Sequence, residues 1–123
     1  MSIPGGAADQ ARALVAQETW LHVPAILGAE VASALRALVQ RGELTAEAAY
    51  VAARRTADLR AHRYPFEPFL ERAWELRHTV TVYDAWYVAL AEALGATLVT
   101  ADERLARASG PRCPVLTPID VLG

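Results

Sequence analysis

The chain has 123 residues, of which 54% are apolar and 21% charged, and its net charge of −2 excludes a protein that binds nucleic acid through an overall basic surface. No apolar run approaches the ~20 residues that span a bilayer, and the N-terminus has neither the basic nor the apolar segment of a signal peptide. A single cysteine, Cys113, allows no internal disulfide. We therefore expect one domain, residues 1–123, in a reducing cytoplasm.

Apolar periodicity in the first half of the chain predicts helices around short strands. Pro24 ends the first β-like run, Gly42 is placed to close the second helix, and Thr45 is a good N-cap for the third. The predicted elements are a helix over 5–19, a strand over 20–23, helices over 25–42 and 46–59, and a short strand or connection over 60–65.

The second half predicts three more helices and two short strands. The segment 82–94 is apolar nearly all round, which is typical of a buried helix, and Gly95 ends it. The predicted elements are helices over 66–79, 82–94 and 101–109, with strands over 96–100 and 113–119. Strands separated by helices favour parallel pairing, so the fold class is α/β with a central, mostly parallel sheet between helical layers.

Two carboxylates stand where one element gives way to another. Asp102 follows the predicted strand 96–100, at the kind of strand end where functional groups gather in open α/β sheets. Thr100 and Glu103 would form a capping box there, so helix capping alone also accounts for Asp102. Asp84 lies in the first turn of the apolar helix, where a buried charge is costly unless it is paired or binds a metal.

Glu30 is a third acidic residue near the start of a helix. Apolar residues surround it at helical spacing, although a lone glutamate at such a position is commonly solvated. The histidines His22, His62 and His78 lack metal-ligand spacing, and Cys113 has no evident base partner, so we interpret all four as surface or core residues.

The chain resembles the PIN domain family, and within it the VapC-type toxin ribonucleases of bacterial toxin–antitoxin pairs. The matching blocks cover almost the whole chain, and the most specific is "YDAWYVALAEALGATLVTAD". The resemblance implies a three-layer α/β/α fold and a divalent ion, Mg²⁺ or Mn²⁺, bound by acidic residues at the C-terminal edge of the sheet. Mapped by motif, these acids are Glu30, Asp84 and Asp102, with Thr100 as a supporting hydroxyl.

The same resemblance implies an endoribonuclease that hydrolyses RNA, is inhibited by a cognate antitoxin and forms a homodimer. Hard oxygen ligands suit Mg²⁺, and a bound metal ion activates an attacking water. Several arginines could contact RNA near this site, or could simply lie on solvent-exposed helix faces. They are Arg54, Arg55, Arg60, Arg63 and Arg77. Aromatic residues that would line an antitoxin or dimer surface, unless they belong to the core, are Trp20, Phe66, Phe69 and Trp74.

The family's usual first strand, which ends in an Asp, has no counterpart in this sequence. Asp9 is a poor substitute, because it stands in the first turn of a predicted helix, and Asp120 reads as a terminal turn or cap. Either the start is assigned too late, or the chain is a truncated homologue in which a partner or swapped segment fills the gap. Two other functions therefore stay open: a catalytically degenerate PIN-like module that binds RNA or protein, and a domain whose acids only start helices.

Overall fold

The computed structural model describes residues 20–122, with side chains through residue 120. The chain forms two units, Trp20–Tyr64 and a second that contains Pro65–Gly123. The helix predicted over 5–19, including Asp9, lies outside the described residues.

The unit Trp20–Tyr64 is a pair of parallel strands joined by two helices. Its elements are β1 (Leu21–Pro24), α1 (Leu27–Gln40), α2 (Ala46–Ala57) and β2 (Ala61–Tyr64). The strands pair in a register that places His22 beside His62 and Pro24 beside Tyr64. Parallel strands need a long crossover, and α1 and α2, which pack on each other, supply it. The predicted strand over 20–23 and both predicted helices are confirmed, and the segment 60–65, predicted as a strand or a connection, contains the strand β2.

Local chemistry sets the ends of the two helices. The Thr45 hydroxyl accepts a hydrogen bond from the Ala48 amide at 3.1 Å, which caps α2 as predicted. Gly42 follows the C-cap residue Arg41 and has a φ of 75°, a left-handed conformation that favours glycine. The helix α1 begins two residues after the predicted start, with Ile26 as an N-cap that provides no side-chain hydrogen bond.

The second unit alternates helices with two short strands. Its elements are a 3-10 turn (Glu67–Phe69), α3 (Leu70–Glu75), α4 (Val82–Leu94), β3 (Leu98–Val99), α5 (Glu103–Ala106), β4 (Val115–Leu116) and α6 (Pro118–Leu122). β3 and β4 pair in parallel. The buried core contains Ala73, Leu76, Ala85, Val88 and Leu105. The predicted helix 82–94 is confirmed with its exact bounds, and Gly95 ends it at a φ of 63°.

The prediction of one helix over 66–79 is wrong in its extent. The first three helical residues form a 3-10 turn that contains Pro68, which has no amide hydrogen to donate. The regular helix ends at Glu75, and the Arg77 amide then donates to the Trp74 carbonyl, three residues back, at 3.2 Å. Phe66, for which an interface and the core were both open, packs edge-on against Trp86 and beside the core.

An ion pair joins α3, α4 and the loop before β4. Arg72 Nε donates to Glu92 Oε1 at 2.7 Å and Nη2 donates to Oε2 at 3.1 Å, while the Arg112 amide donates to Oε2 at 2.7 Å. Arg72 Nη2 also donates to the Gly110 carbonyl at 2.8 Å. Burial acts to raise the pKa of Glu92, but the hydrogen bonds from Arg72 and Arg112 outweigh it and leave that pKa below its usual value. We call this arrangement the Arg72–Glu92 clamp.

The strand pairing confirms the α/β class and the parallel direction of pairing, although the described strands form two separate sheets rather than one central sheet. Within residues 20–122 each of the four strands has a single partner, β1 with β2 and β3 with β4. None of the helices in that range combines the length and the apolar character required to cross a bilayer.

Candidate active site

Asp84 is held at the start of α4 by a threonine. Thr81 is the N-cap, and its hydroxyl accepts a hydrogen bond from the Asp84 amide at 3.1 Å. Ala85, the next residue, is fully buried, whereas Asp84 itself is half-buried. The expectation of a fully buried carboxylate was therefore too strong. Among the described residues, no hydrogen bond or ion pair reaches the carboxylate, which stands at the positive end of the helix dipole.

Asp102 stands between β3 and α5 and caps the helix itself. Its Oδ1 accepts hydrogen bonds from the amides of Arg104 at 2.9 Å and Leu105 at 3.3 Å. The predicted capping box of Thr100 and Glu103 is therefore wrong. The Thr100 hydroxyl accepts from the Asp102 amide at 3.1 Å, and its own amide donates to the Leu116 carbonyl. Thr100 therefore holds the backbone at Asp102, and its part in a metal site stays a prediction.

One pocket brings the two aspartates together. Its volume is about 200 Å³, and its lining residues are Thr79, Val80, Thr81, Asp84, Asp102, Arg104 and Leu105. Asp102 Oδ1 is engaged with backbone amides, but Oδ2 accepts no hydrogen bond from any described residue. The pocket therefore offers carboxylate and hydroxyl oxygens, the donor set that Mg²⁺ and Mn²⁺ favour, beside one guanidinium.

Glu30 belongs to the other unit. It occupies the first turn of α1, is half-buried, and its amide donates to the Ile26 carbonyl at 3.0 Å. Within either unit, the described residues contain no group of three or more His, Cys, Asp or Glu side chains placed to hold a metal ion. The participation of Glu30 in the same site stays a prediction.

The arginines predicted to contact RNA differ in how far they are engaged. Arg54 pairs with Asp58 along α2 at 3.0 Å, while Arg55 is exposed on the same helix. Arg77 lies over the Trp74 ring, 4.6 Å from its centroid, and donates to the Trp74 carbonyl. Arg55 is therefore the most available of these three for a phosphate.

Three pocket residues escaped the sequence reasoning. Thr79 and Thr81 line the pocket with hydroxyl groups, and Arg104 contributes the only positive charge among its described lining residues. The spacing of Thr81 and Asp84 is a recognisable N-cap pattern that would have identified Thr81. Arg104 gave no signal, because an arginine in the first turn of an exposed helix is ordinary.

The residues interpreted as structural have structural contacts. His22 and His62 stack on each other with ring centroids 5.0 Å apart. Burial is the main cause of a raised pKa for the Cys113 thiol, which opposes a nucleophilic role. Asp120 Oδ2 accepts hydrogen bonds from the amide and hydroxyl of Thr117, both at 2.9 Å, and these lower its pKa. The prediction of a terminal turn at Asp120 is confirmed.

Comparison with known proteins identifies the family. The family model for the PIN domain matches residues 6–111. A VapC ribonuclease of Mycobacterium bovis is 47% identical over 106 residues, which cover 86% of this chain and 83% of that protein. From Mycobacterium tuberculosis, ribonuclease VapC1 is 45% identical over 100 residues, covering 80% and 75% of the two chains. Ribonuclease VapC12 is 41% identical over 110 residues, covering 89% and 83%. The chain therefore belongs to the PIN domain family, among relatives named VapC ribonucleases.

Proposed function

We propose that the chain is an endoribonuclease, the toxin of a type II toxin–antitoxin pair, which hydrolyses RNA phosphodiester bonds at the pocket of Asp84 and Asp102. The observation that carries this proposal is the convergence of the two carboxylates and Arg104 on one pocket. The ribonuclease relatives support the reaction class, since their matches cover most of each chain.

A divalent ion, Mg²⁺ or Mn²⁺, fits the oxygen donors of this pocket. Asp84 and the free oxygen of Asp102 would hold it, with Glu30 as the proposed third acid. When bound, such an ion supplies Lewis-acid stabilisation and lowers the pKa of a coordinated water.

The chain's own residues have distinct parts in the proposed reaction. Thr81 and Thr100 fix the backbone at the two aspartates, so each carboxylate is oriented before the substrate arrives. Arg104 neutralises negative charge on a phosphate that enters the pocket. Val80 and Leu105 supply apolar walls, which limit the water around the reacting groups.

Cleavage of a mixed RNA substrate tests this proposal. We expect cleavage that requires Mg²⁺ or Mn²⁺ and falls by at least about 100-fold in Asp84→Asn and in Asp102→Asn, as is typical for loss of a main catalytic group. Asp58→Asn is the matched control, since Asp58 is an exposed carboxylate outside the pocket. Cleavage that persists in both pocket variants would refute the site. RNA binding without cleavage by the unmodified chain would favour the degenerate module.

Partners follow from the same proposal. An antitoxin would inhibit the enzyme, and we propose a homodimer in the cytoplasm. Exposed apolar side chains on α3, those of Leu70 and Trp74, border a shallow depression of about 540 Å³ and suit such contacts. Light scattering on the purified protein measures the mass in solution, and Trp74→Glu should shift a dimer that uses this surface toward the 13.3 kDa monomer.

A further inference from the structure

Four aromatic rings form a continuous stack across β1 and β2. Trp20 lies 5.1 Å from His62 between ring centroids, His62 lies 5.0 Å from His22, and His22 lies 5.8 Å from Tyr64. The angles between successive ring planes are 30°, 23° and 37°. We call these four residues the ring ladder.

Strand alternation places the ring ladder on one face of the strand pair. Successive side chains of a strand point to opposite faces, so Trp20 and His22 share a face with the fully buried Pro24, whereas Leu21, which is 46% exposed, and the buried Val23 lie on the other. His22 and His62 are exposed, and Trp20 retains 42% of its surface in contact with solvent. A hydrogen bond of 2.7 Å between His22 Nδ1 and the Tyr64 hydroxyl fixes two of the rings relative to each other. The exposed rings of Trp20 and His62 are therefore held at one end of a fixed aromatic array.

Positive charge accompanies this surface. The segment Trp20–Tyr64 contains six arginines against four carboxylates, a net charge of +2 in a chain whose total is −2. Arg60 directly precedes β2 and is two residues from His62, so its side chain belongs to the same face as His62 and Tyr64. The Arg60 carbonyl accepts a hydrogen bond from the amide of Leu21, the residue next to Trp20. Arg63 points to the opposite face of the strand, and its guanidinium donates hydrogen bonds to the carbonyls of Thr56 and Ala57 at the end of α2. Arg60 is thus the arginine associated with the ladder.

Cross-strand ring contacts alone would stabilise the two strands, but that role does not require exposure of the rings. Proteins that bind single-stranded RNA stack unpaired bases on exposed aromatic rings and neutralise the backbone with arginine. We propose that the ring ladder binds single-stranded RNA by stacking an unpaired base on Trp20, the exposed end of the ladder, which His62 supports from behind, with Arg60 against a backbone phosphate. This inference rests on the proposed function, in which RNA is the substrate, and adds a substrate-binding surface to it.

Binding of a single-stranded 12-nucleotide RNA in the Asp84→Asn background, where the RNA stays intact, tests the proposal by fluorescence anisotropy. We expect His62→Leu and Trp20→Leu each to weaken binding by about tenfold. His62→Phe keeps a flat ring and should bind within about threefold of the parent. Tyr50→Leu is the matched control, because Tyr50 is an exposed ring on α2 of the same unit, outside the ladder. Equal binding by His62→Leu and Tyr50→Leu would overturn the proposal.

A second measurement does not depend on the stability of a ladder variant. Trp74→Phe removes the other exposed tryptophan and leaves Trp20 and the buried Trp86. Oligouridylate should quench the Trp20 fluorescence, whereas an abasic oligomer with the same backbone should not. Arg60→Gln should lower the slope of log affinity against log salt concentration by about one.

Quenching by the antitoxin but not by RNA would overturn the proposal and identify the ladder as a protein-binding surface. The two proposals fail separately. If RNA quenches Trp20 but is not cleaved with Mg²⁺ or Mn²⁺, the ladder is an RNA-binding surface and the proposed nuclease function is refuted. If RNA is cleaved but the ladder variants bind it as tightly as the parent, the nuclease function stands and the ladder proposal is refuted.

Discussion

The Arg72–Glu92 clamp gives a sharp test of what stabilises the second unit. The perturbation is Glu92→Gln, which keeps the size and one acceptor oxygen of the side chain but removes its charge. Side-chain exposure is 20% for Arg72 and 14% for Glu92, so the variant leaves a largely buried guanidinium without its main counter-charge. Removal of one partner from a buried ion pair costs about 3–5 kcal/mol.

The expected cost lies just below that range. Arg72 keeps a second carboxylate, Glu75, at 3.0 Å, and the Gly110 carbonyl at 2.8 Å. We therefore expect a loss of about 2–3 kcal/mol in the free energy of unfolding. Glu75→Gln is the matched control, because the Glu75 side chain is 59% exposed and an exposed pair contributes only about 0–1 kcal/mol.

Urea unfolding followed by circular dichroism measures both variants at neutral pH. A lower midpoint at an unchanged slope identifies a change in stability rather than in the compactness of either state. Indistinguishable midpoints for Glu92→Gln and Glu75→Gln would refute the reasoning, because they would show that the clamp contributes no more than a surface pair.

The clamp also predicts a pH dependence. The pKa of Glu92 in the folded state lies below its ordinary value, so the folded state binds its proton less readily than the unfolded chain. This contribution is complete above the unfolded pKa, near 4.3, and is lost as pH falls through the folded pKa. Glu92→Gln should remove that part of the acid sensitivity, so the difference in stability between wild type and variant narrows as the pH is lowered below about 4.

Substitutions at three positions of the second unit test local features by urea unfolding. Asp102→Asn keeps an N-cap acceptor and should change the free energy of unfolding by less than about 0.5 kcal/mol, whereas Asp102→Ala should lower it by about 1 kcal/mol. Titration calorimetry should show that both variants lose Mn²⁺ binding. Equal stability of the Asn and Ala variants would contradict the capping role of Asp102. Thr81→Ala should lower the free energy of unfolding by about 1 kcal/mol, whereas Thr81→Ser, which keeps the hydroxyl, should be as stable as the wild type. Equal stability of the Ala and Ser variants would show that the hydroxyl does not cap α4. Gly110→Ala should lower the free energy of unfolding by more than about 1 kcal/mol, because the Gly110 φ is 108° and an added Cβ would lie 3.0 Å from Leu76 Cδ2. Gly28→Ala is the control, since Gly28 lies in α1 with open space around it and the substitution should not destabilise the protein. Equal effects of the two substitutions would show that an alanine at position 110 is not strained.

Elements that end on local chemistry could be predicted from the sequence. Thr81 and Gly95 mark the two ends of α4, and Thr45 marks the start of α2, because a capping hydroxyl or a left-handed glycine acts within one turn. The same reasoning failed over 66–79, where apolar spacing continued past the end of the helix at Glu75. Periodicity reports which face is buried, but it does not reveal that the backbone has switched to three-residue hydrogen bonds.

The candidate site divides in the same way. Asp84 and Asp102 could be singled out because each interrupts an apolar pattern beside a change of element. Arg104 could not, since its place in the pocket depends on how α4 and α5 are brought together by the core around Leu105. The ring ladder was equally inaccessible, because the register that sets His22 beside His62 is fixed by residues about 40 positions apart.

The hydroxyl contacts at the two aspartates have a consequence for which substitutions the candidate site tolerates. Each aspartate amide is bound by a threonine hydroxyl two or three residues earlier, so the backbone at each carboxylate is fixed largely within Thr81–Asp84 and Thr100–Asp102. Substitutions on the exposed surface away from these two segments should therefore leave the local conformation of both carboxylates unchanged.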